Sequence, residues 1–161
     1  MRALIIVPTV IVALVFLSTK IGAIGIVKPQ AVDVQERIAY HAKQNGLDFS
    51  LVKAVAKVES NFNPLAKNPS DPSYGLMQVT PMLAQDYGYV KDWRSVTSLE
   101  IDKIMNIDIN LTIACQQLAY LNRYSFNQQI QSYNVGEWGF KTGSRNVDYL
   151  EKVRGYYYEY S

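Results

Sequence analysis

The segment that decides the fold runs LVKAVAKVESNFNP, residues 51–64. Four of its larger apolar side chains are Leu51, Val55, Val58 and Phe62. They are spaced by four, three and four residues, which is the periodicity of one face of an α-helix. Asp48 or Ser50 can cap its start, and Asn63-Pro64 ends it. The segment therefore predicts an amphipathic helix with its apolar face against a core.

Glu59 lies at the edge of this apolar face. It follows Val55 by one helical turn, and at about 100° per residue it lies about 60° from the centre of the stripe. We therefore expect its carboxyl group to be half-buried. Burial raises the pKa of a carboxylic acid above its usual value of about 4.3, so that a useful fraction keeps its proton near neutral pH. Glu59 is the candidate general acid.

The rest of the domain also has the periodicity of helices. Further helices are predicted over 34–44, from Thr80-Pro81 to just before Gly88, and over 98–105, 108–124, 127–133 and 145–158. Prolines at 64, 69 and 72 exclude a regular helix from the loop after Glu59, where at most a small sheet could form between Asn68 and Tyr74. The predicted fold class is mainly α, a compact helical domain with at most a small β element.

Composition narrows the function classes. With 161 residues, of which 48% are hydrophobic and 19% charged, the chain fits one globular domain. A net charge of +2 is too small to indicate a nucleic-acid partner. The chain has one cysteine, Cys115, in an apolar helical pattern, and one histidine, His41, which we expect at the surface or near a helix end. A single cysteine argues against a disulfide framework and a thiolate metal cluster. A single histidine in such a position argues against a Cys/His or Ser/His/Asp catalytic site. No metal or cofactor is expected.

Residues 1–28 do not belong to this domain, which we place at 29–161. Residues 3–17 are almost unbroken Leu, Ile, Val and Ala, and a second apolar run follows Lys20. The pattern predicts a transmembrane anchor helix, because a spanning helix needs about 20 apolar residues. The alternative is a cleaved signal segment with small residues around Gly22 and Ala23. Either interpretation sends the rest of the chain across a membrane.

Four segments in a fixed order resemble the soluble lytic transglycosylases, peptidoglycan-cleaving enzymes with a goose-lysozyme-like fold. They are AKVESNFNP (56–64), GLMQ (75–78), SYNVG (132–136) and YLEKV (149–153). Asn110, with Ala114 and Leu118 at helical spacing behind it, is a weaker point of similarity. The resemblance covers about residues 31–158, nearly the whole predicted domain.

The resemblance implies that Glu59 is the catalytic acid and then the base. It also implies a substrate-binding set of Ser60, Gly75, Met77, Gln78, Tyr133, Asn134 and Tyr149. Gly75 would let the backbone approach a sugar closely, and Tyr149, on the closing helix, would face the acid. The sequence departs from the family at Thr80, often Met, and at Asn68, where the family has a loop serine. One residue is also inserted around 71–73, so the loop contacts are expected to differ.

A second catalytic carboxylate has no motif support. Asp71, Asp86 and Glu137 lie near the motifs, but we interpret them as solvated loop or turn residues. The substrate can replace the missing acid, as in known exceptions to the two-carboxylate rule. In N-acetylmuramic acid the acetamido oxygen can stabilise C1, and the C6 hydroxyl can attack it to give a 1,6-anhydro sugar. Tyr133 is expected to hydrogen-bond the carboxylate or the sugar, and Tyr74 or Trp138 to offer an aromatic face.

Three functions remain open. The first is a lytic transglycosylase that cleaves the MurNAc-GlcNAc β-1,4 bond and so opens the cell wall locally. The second is a lysozyme-like muramidase that hydrolyses the same bond. The third is a catalytically silent wall-binding component of a phage-entry or secretion assembly.

The expected partners are the peptidoglycan glycan strand and, through residues 1–28, a membrane; membership of a larger membrane-spanning or virion assembly stays open. The catalytic domain is expected on the wall-facing side of a bacterial inner membrane or a virion membrane. If the N-terminal segment is cleaved, the expected location is the periplasm.

Overall fold

The structure is a computed structural model that describes residues 33–161. Within these residues the chain forms eight α-helices, one short 3₁₀ helix and one two-stranded sheet, which confirms the predicted mainly α fold class. The helices are α1 Val34–Gln44, α2 Phe49–Ser60, α3 Pro81–Asp86, α4 Ser98–Met105, α5 Ile107–Leu121, α6 Phe126–Val135, α7 Glu137–Lys141 and α8 Val147–Tyr160. The strands are β1 Lys67–Asn68 and β2 Ser73–Tyr74, and the 3₁₀ helix is Trp93–Ser95.

The predicted N-terminal apolar segment, residues 1–28, lies outside the described residues. Among the helices of residues 33–161, none has the length and apolar character needed to cross a membrane.

Several helix starts follow from capping residues that the sequence displays. Asp48 caps α2 by accepting a hydrogen bond from the backbone N–H of Ser50. Thr80 caps α3 in the same way, with proline at the first helical position. At the other end of α6, Gly136 adopts a φ of +73° and ends the helix. A further short helix, α7, begins directly after it, which the sequence pattern did not predict.

The core brings together apolar side chains from α1, α2, α5, α6 and α8. α2 packs against α8 and α1, while α1 packs against α5 and α6 contacts α5, α7 and α8. Val55 of α2 and Leu118 of α5 are completely buried. Cys115 is also buried, and burial raises the pKa of its thiol to about 12, so it is an inert core residue.

His41 lies in the last turn of α1, which agrees with the expected place near a helix end, but it is not at the surface. It is buried on α1, with Nε2 3.1 Å from Oδ1 of Asp108 on α5. Arg37 forms an ion pair with the same carboxylate. Because α1 packs on α5, this cluster joins two helices.

The sheet holds the loop that follows α2. β1 and β2 are antiparallel, and their register pairs Lys67 with Tyr74 and Asn68 with Ser73. Tyr74 also exchanges two backbone hydrogen bonds of 3.0 Å with Val79, which closes the loop over residues 75–78. The small β element predicted between Asn68 and Tyr74 is therefore present, extended by one residue to Lys67.

Candidate active site

Glu59 occupies the last turn of α2 and lines the main cleft of the domain. The residue is half-buried, as its position at the edge of the apolar stripe predicted. Desolvation raises the pKa of its carboxyl group from 4.5 to about 7, against a smaller lowering by a hydrogen bond from Tyr149. A carboxyl group with this pKa carries a proton on about half of the molecules at pH 7.

Tyr149 donates that hydrogen bond, with its hydroxyl 2.5 Å from Oε1 of Glu59. The tyrosine lies in the first turn of α8, where Asn146 caps the helix by accepting from the Tyr149 backbone N–H. Burial and the neighbouring Glu59 raise the pKa of Tyr149 well above its usual value, so the hydroxyl keeps its proton and stays a donor. Since Oε1 accepts this bond, Oε2 is the oxygen left available to carry a proton.

The loop over residues 75–78 is fixed by Asn110 of α5. The Asn110 side chain accepts from the backbone N–H of Met77 at 2.7 Å and donates to the carbonyl of Tyr74 at 2.8 Å. Gly75 has a φ of +78°, and a Cβ atom built on it would lie 2.6 Å from Nδ2 of Asn110. The glycine is therefore required by the close approach of Asn110. The expectation that it also lets a sugar approach the backbone stays a prediction.

Three other predicted sugar contacts also build this loop. Ser60 donates its hydroxyl to the carbonyl of Leu76 at 2.7 Å, and Tyr133 donates to the carbonyl of Met77 at 2.9 Å. The side chain of Met77 is completely buried in the core. The hydroxyl of Tyr133 thus donates to a backbone carbonyl and not to the Glu59 carboxylate, one of its two expected partners; the other, a sugar, stays a prediction.

The cleft has a volume of about 1060 Å³. Of the predicted site residues, Glu59, Gln78, Tyr133 and Asn134 line it. Ser60, Gly75, Met77 and Tyr149 are not part of its lining and lie in the supporting structure. The predicted set is therefore divided between a cleft wall and the loop and helix that hold this wall in place.

The two amides on the cleft wall are held by neighbouring groups. Gln78 has a φ of +48°, accepts from the Ser73 hydroxyl at 2.8 Å and donates to the Gly75 carbonyl at 2.9 Å. Asn134 is exposed and accepts from the side chain of Asn146 at 2.9 Å. Their fixed orientation suits them to recognise polar groups of a ligand in the cleft.

Apart from Thr80 and Asp86, the cleft residues of the α3 region and of α5 were not identified from the sequence. The α3 region supplies Thr80, Met82, Leu83, Asp86 and Tyr87 to the cleft, and α5 supplies Gln117 and Tyr120. The cap at Thr80 directly after the GLMQ segment was a local signal for the first group. No local signal marks Gln117 and Tyr120, because only the packing of α5 brings them to the cleft. Tyr74, predicted as an aromatic face for sugars, packs against the core and does not line the cleft.

The three candidate second acids all line the cleft. Asp71 and Asp86 are exposed, in keeping with their interpretation as loop and turn residues. Glu137 is bound by Lys141 at 2.7 Å, by the hydroxyl of Tyr124 at 2.7 Å and by Arg123 at 2.5 Å. These contacts lower the pKa of Glu137 to about 2. Glu137 is therefore ionised and occupied by its ion pairs.

Ser132 is a buried polar residue in the cleft wall. It is completely buried, and its hydroxyl has no hydrogen-bond partner within residues 33–161. In that same part of the chain, no group of three or more His, Cys, Asp or Glu side chains could hold a metal ion. The metal-independent chemistry expected from the sequence stays a prediction.

Comparison with known proteins adds a family relationship. A family model described as the transglycosylase SLT domain matches residues 36–152. Among solved structures, the chain is similar to an inactive mutant of the lytic transglycosylase Slt from Pseudomonas aeruginosa, with 20% identity and a TM-score of 0.48. That match covers 74% of this chain but only 20% of the length of the Pseudomonas protein. No curated protein matches the sequence.

Proposed function

The chain belongs to the transglycosylase SLT family, and from that premise we propose that it is a peptidoglycan lytic transglycosylase with Glu59 as its general acid and base. It cleaves the β-1,4 bond between N-acetylmuramic acid and N-acetylglucosamine and leaves a 1,6-anhydro end. The substrate is a glycan strand that lies in the cleft lined by Glu59, Gln78, Tyr133 and Asn134.

The observation that carries this proposal is the state of the Glu59 carboxyl group. It lines a large cleft, and burial raises its pKa to about 7. Protonation of a leaving oxygen needs an acid that still holds its proton near neutral pH. The ion-paired Glu137, with its pKa lowered to about 2, cannot supply one.

The reaction then proceeds in two proton transfers. Oε2 of Glu59 gives its proton to the glycosidic oxygen as the bond from C1 to that oxygen breaks, and the acetamido oxygen of the same muramoyl residue stabilises C1. The C6 hydroxyl attacks C1 and loses its proton to Glu59, which is now the base. Tyr149 keeps its hydrogen bond to Oε1 throughout and so fixes the carboxylate for both transfers.

Hydrolysis of the same bond is the second candidate function. Asp71 and Asp86 line the cleft and are exposed, so either could activate a water molecule opposite the leaving group. In that reaction water replaces the C6 hydroxyl, and the product carries a reducing end. The carboxylate that activates the water, Asp71 or Asp86, then becomes essential, whereas transglycosylation requires neither.

Mass spectrometry of digested peptidoglycan tests the proposal. Purified protein acting on cell-wall sacculi is expected to release fragments with 1,6-anhydromuramic ends, and Glu59→Gln to release none. Asp71→Asn and Asp86→Asn are the matched controls and are expected to retain the anhydro product. Reducing muramic ends that disappear in either Asp variant would establish hydrolysis instead. Sacculi left intact by the wild-type protein would support a silent wall-binding role.

We also propose that residues 1–28 carry the domain across a membrane and hold it on the wall-facing side. This proposal rests on the apolar residues 3–17 and the second apolar run after Lys20. Fractionation of cells that express the full chain tests it. Recovery with membranes indicates an anchor, recovery in the soluble periplasm indicates a cleaved signal, and recovery in the cytoplasm contradicts both.

A further inference from the structure

Trp138 is an exposed aromatic side chain on the cleft. It is 78% exposed, more than any other large hydrophobic side chain of residues 33–161, and it lines the same cleft as Glu59. Among the aromatic pairs and cation–π contacts of these residues, none includes Trp138. Ligand-binding clefts are lined mostly by hydrophobic and aromatic side chains, so the position of Trp138 on the cleft wall makes it a candidate ligand contact.

The backbone that carries this tryptophan is fixed on its N-terminal side. Glu137, the preceding residue, is bound by Arg123, Tyr124 and Lys141 at distances of 2.5 to 2.7 Å. Arg123 and Tyr124 lie in the connection between α5 and α6, so these contacts join α7 to a different part of the chain.

The C-terminal side of α7 is fixed as well. Phe140 is buried, its ring lies 5.9 Å from that of Tyr124, and the Arg145 guanidinium lies 3.9 Å from its centre. Both the backbone N–H and the hydroxyl of Thr142 donate to the Trp138 carbonyl at 3.0 Å. Two anchors therefore hold the backbone of Trp138 while its side chain stays exposed. Binding then has to order only the side-chain torsions of Trp138 and not its backbone.

We propose that Trp138 is a stacking platform for a sugar ring and forms a subsite of the cleft on α7. The β-linked pyranose rings of a glycan strand have flat faces of C–H groups, which pack on an indole ring, while their hydroxyl and acetamido groups point outward to polar neighbours. The inference rests on the proposed function, because it takes the glycan strand as the occupant.

Tyr120 also lines the cleft but is less suited to this role. It is 53% exposed, and the Arg123 guanidinium lies 3.5 Å from the centre of its ring. Its hydroxyl donates to Glu137 at 3.2 Å. One face of Tyr120 is therefore covered, and its hydroxyl belongs to the network that holds α7. Of the aromatic side chains of residues 33–161 that line the cleft, Trp138 is the most exposed.

Two measurements separate stacking from a structural role. The chain contains two tryptophans, so Trp93→Phe leaves Trp138 as the sole indole reporter. Trp93 lies in the 3₁₀ helix, with the Arg94 guanidinium 4.7 Å from its ring centre, and it does not line the cleft. In Trp93→Phe combined with Glu59→Gln, titration with soluble glycan strands is expected to shift the Trp138 emission to shorter wavelength. The Trp138→Phe, Glu59→Gln protein, which reports from Trp93, is expected to show no shift.

The second measurement is kinetic, on proteins that keep Glu59. Trp138→Ala is expected to raise KM for glycan strands about tenfold and to leave kcat within about twofold, because stacking contributes to binding and not to bond cleavage. Trp138→Phe should recover part of the loss, and Trp93→Ala should change neither parameter.

The outcomes distinguish the platform from the proposed function. Glycan binding detected by calorimetry without any change in Trp138 emission, or a Trp138→Ala protein with unaltered KM, would overturn the platform alone. A protein that neither binds glycan strands in calorimetry nor cleaves them would overturn the proposed function and the platform together.

Discussion

The hydroxyl of Tyr149 donates a hydrogen bond of 2.5 Å to Oε1 of Glu59, joining the start of α8 to the end of α2. The two residues are 90 positions apart in sequence. The bond lowers the pKa of Glu59, but desolvation raises it by more, so the pKa is about 7. The bond from Tyr149 therefore fixes the position of the Glu59 carboxyl group, while desolvation keeps it protonated. Each effect can be tested separately.

The rate of glycan cleavage should fall as the pH rises above about 7. The first step needs protonated Glu59, and the protonated fraction falls about tenfold per pH unit above the pKa. Initial rates of anhydro-end release between pH 5 and pH 9 measure this fall, which is the alkaline limb of the pH–rate profile. A rate that stays constant between pH 8 and pH 9 would contradict Glu59 as the acid.

Tyr149→Phe should move this alkaline limb to higher pH. Its hydrogen bond lowers the pKa of Glu59, so its loss raises that pKa further. The maximal rate should fall about tenfold, because the carboxyl group loses the contact that orients it. The control is Tyr158→Phe, at a tyrosine on the same helix that is 65% exposed. A limb that stays in place in Tyr149→Phe argues against any influence of this bond on the acid.

Glu59→Gln should stabilise the fold at pH 8 and have little effect at pH 4. The folded-state pKa of Glu59 is about 7 and the unfolded value is 4.5. Stability therefore falls as the pH rises from 4.5 to 7, and the full cost above pH 7 is at most about 3 kcal/mol. Gln does not titrate, so the variant escapes this loss. Urea unfolding at both pH values measures it, with Glu159→Gln, at an exposed residue of α8, as the control. An equal effect at both values is incompatible with a raised pKa.

Gly75→Ala should lower the free energy of unfolding by about 2 kcal/mol more than Gly46→Ala does. Both glycines have positive φ, +78° and +63°, so both substitutions impose backbone strain. Only Gly75 has a neighbour in the way, since its added Cβ would lie 2.6 Å from Nδ2 of Asn110, whereas Gly46 has nothing within 4 Å. Denaturant unfolding compares the two. Equal losses would show that Asn110 does not require a glycine.

Ser132→Ala should raise the free energy of unfolding by about 1 kcal/mol, since it removes a buried hydroxyl that has no partner within residues 33–161. The control is Ser60→Ala, which loses a hydrogen bond of 2.7 Å to the Leu76 carbonyl and should destabilise by about 1 kcal/mol. Thermal and urea unfolding of both variants provide the measurement. Destabilisation by Ser132→Ala would reveal a partner for this hydroxyl, such as an internal water molecule.

Most helices could be predicted from local sequence, because helix caps and apolar spacing involve residues only a few positions apart. The predicted bounds of α1 and α4 agree with the structure, and the starts of α2 and α3 follow from Asp48 and Thr80. The predictions failed where an element depends on contacts between residues that are distant in the sequence. The Glu137–Lys141 pair of α7 is a local i,i+4 pair, but α7 also depends on the burial of Phe140 and on the bond from Arg123 to Glu137, which the five-residue segment does not reveal.

The predicted site residues also show this difference between local sequence and tertiary contacts. The motifs identified residues that matter to the cleft, but only the fold separates those that line it from those that support it. Met77 is completely buried, and Ser60 bonds the Leu76 carbonyl, although both lie within the matched segments. Sequence spacing does not report which side of a tight loop faces a ligand.

By itself the sequence determined the helical class, the half-buried position of Glu59 and the family, because periodicity, capping and motif order are properties of neighbouring residues. Only the tertiary structure decided how Glu59 and Tyr149 meet, that Asn110 requires a glycine at position 75, and that Trp138 lines the same cleft as Glu59. These relationships depend on how α2, α5, α7 and α8 pack. That packing is fixed by burial and side-chain contacts between residues that lie far apart in the chain.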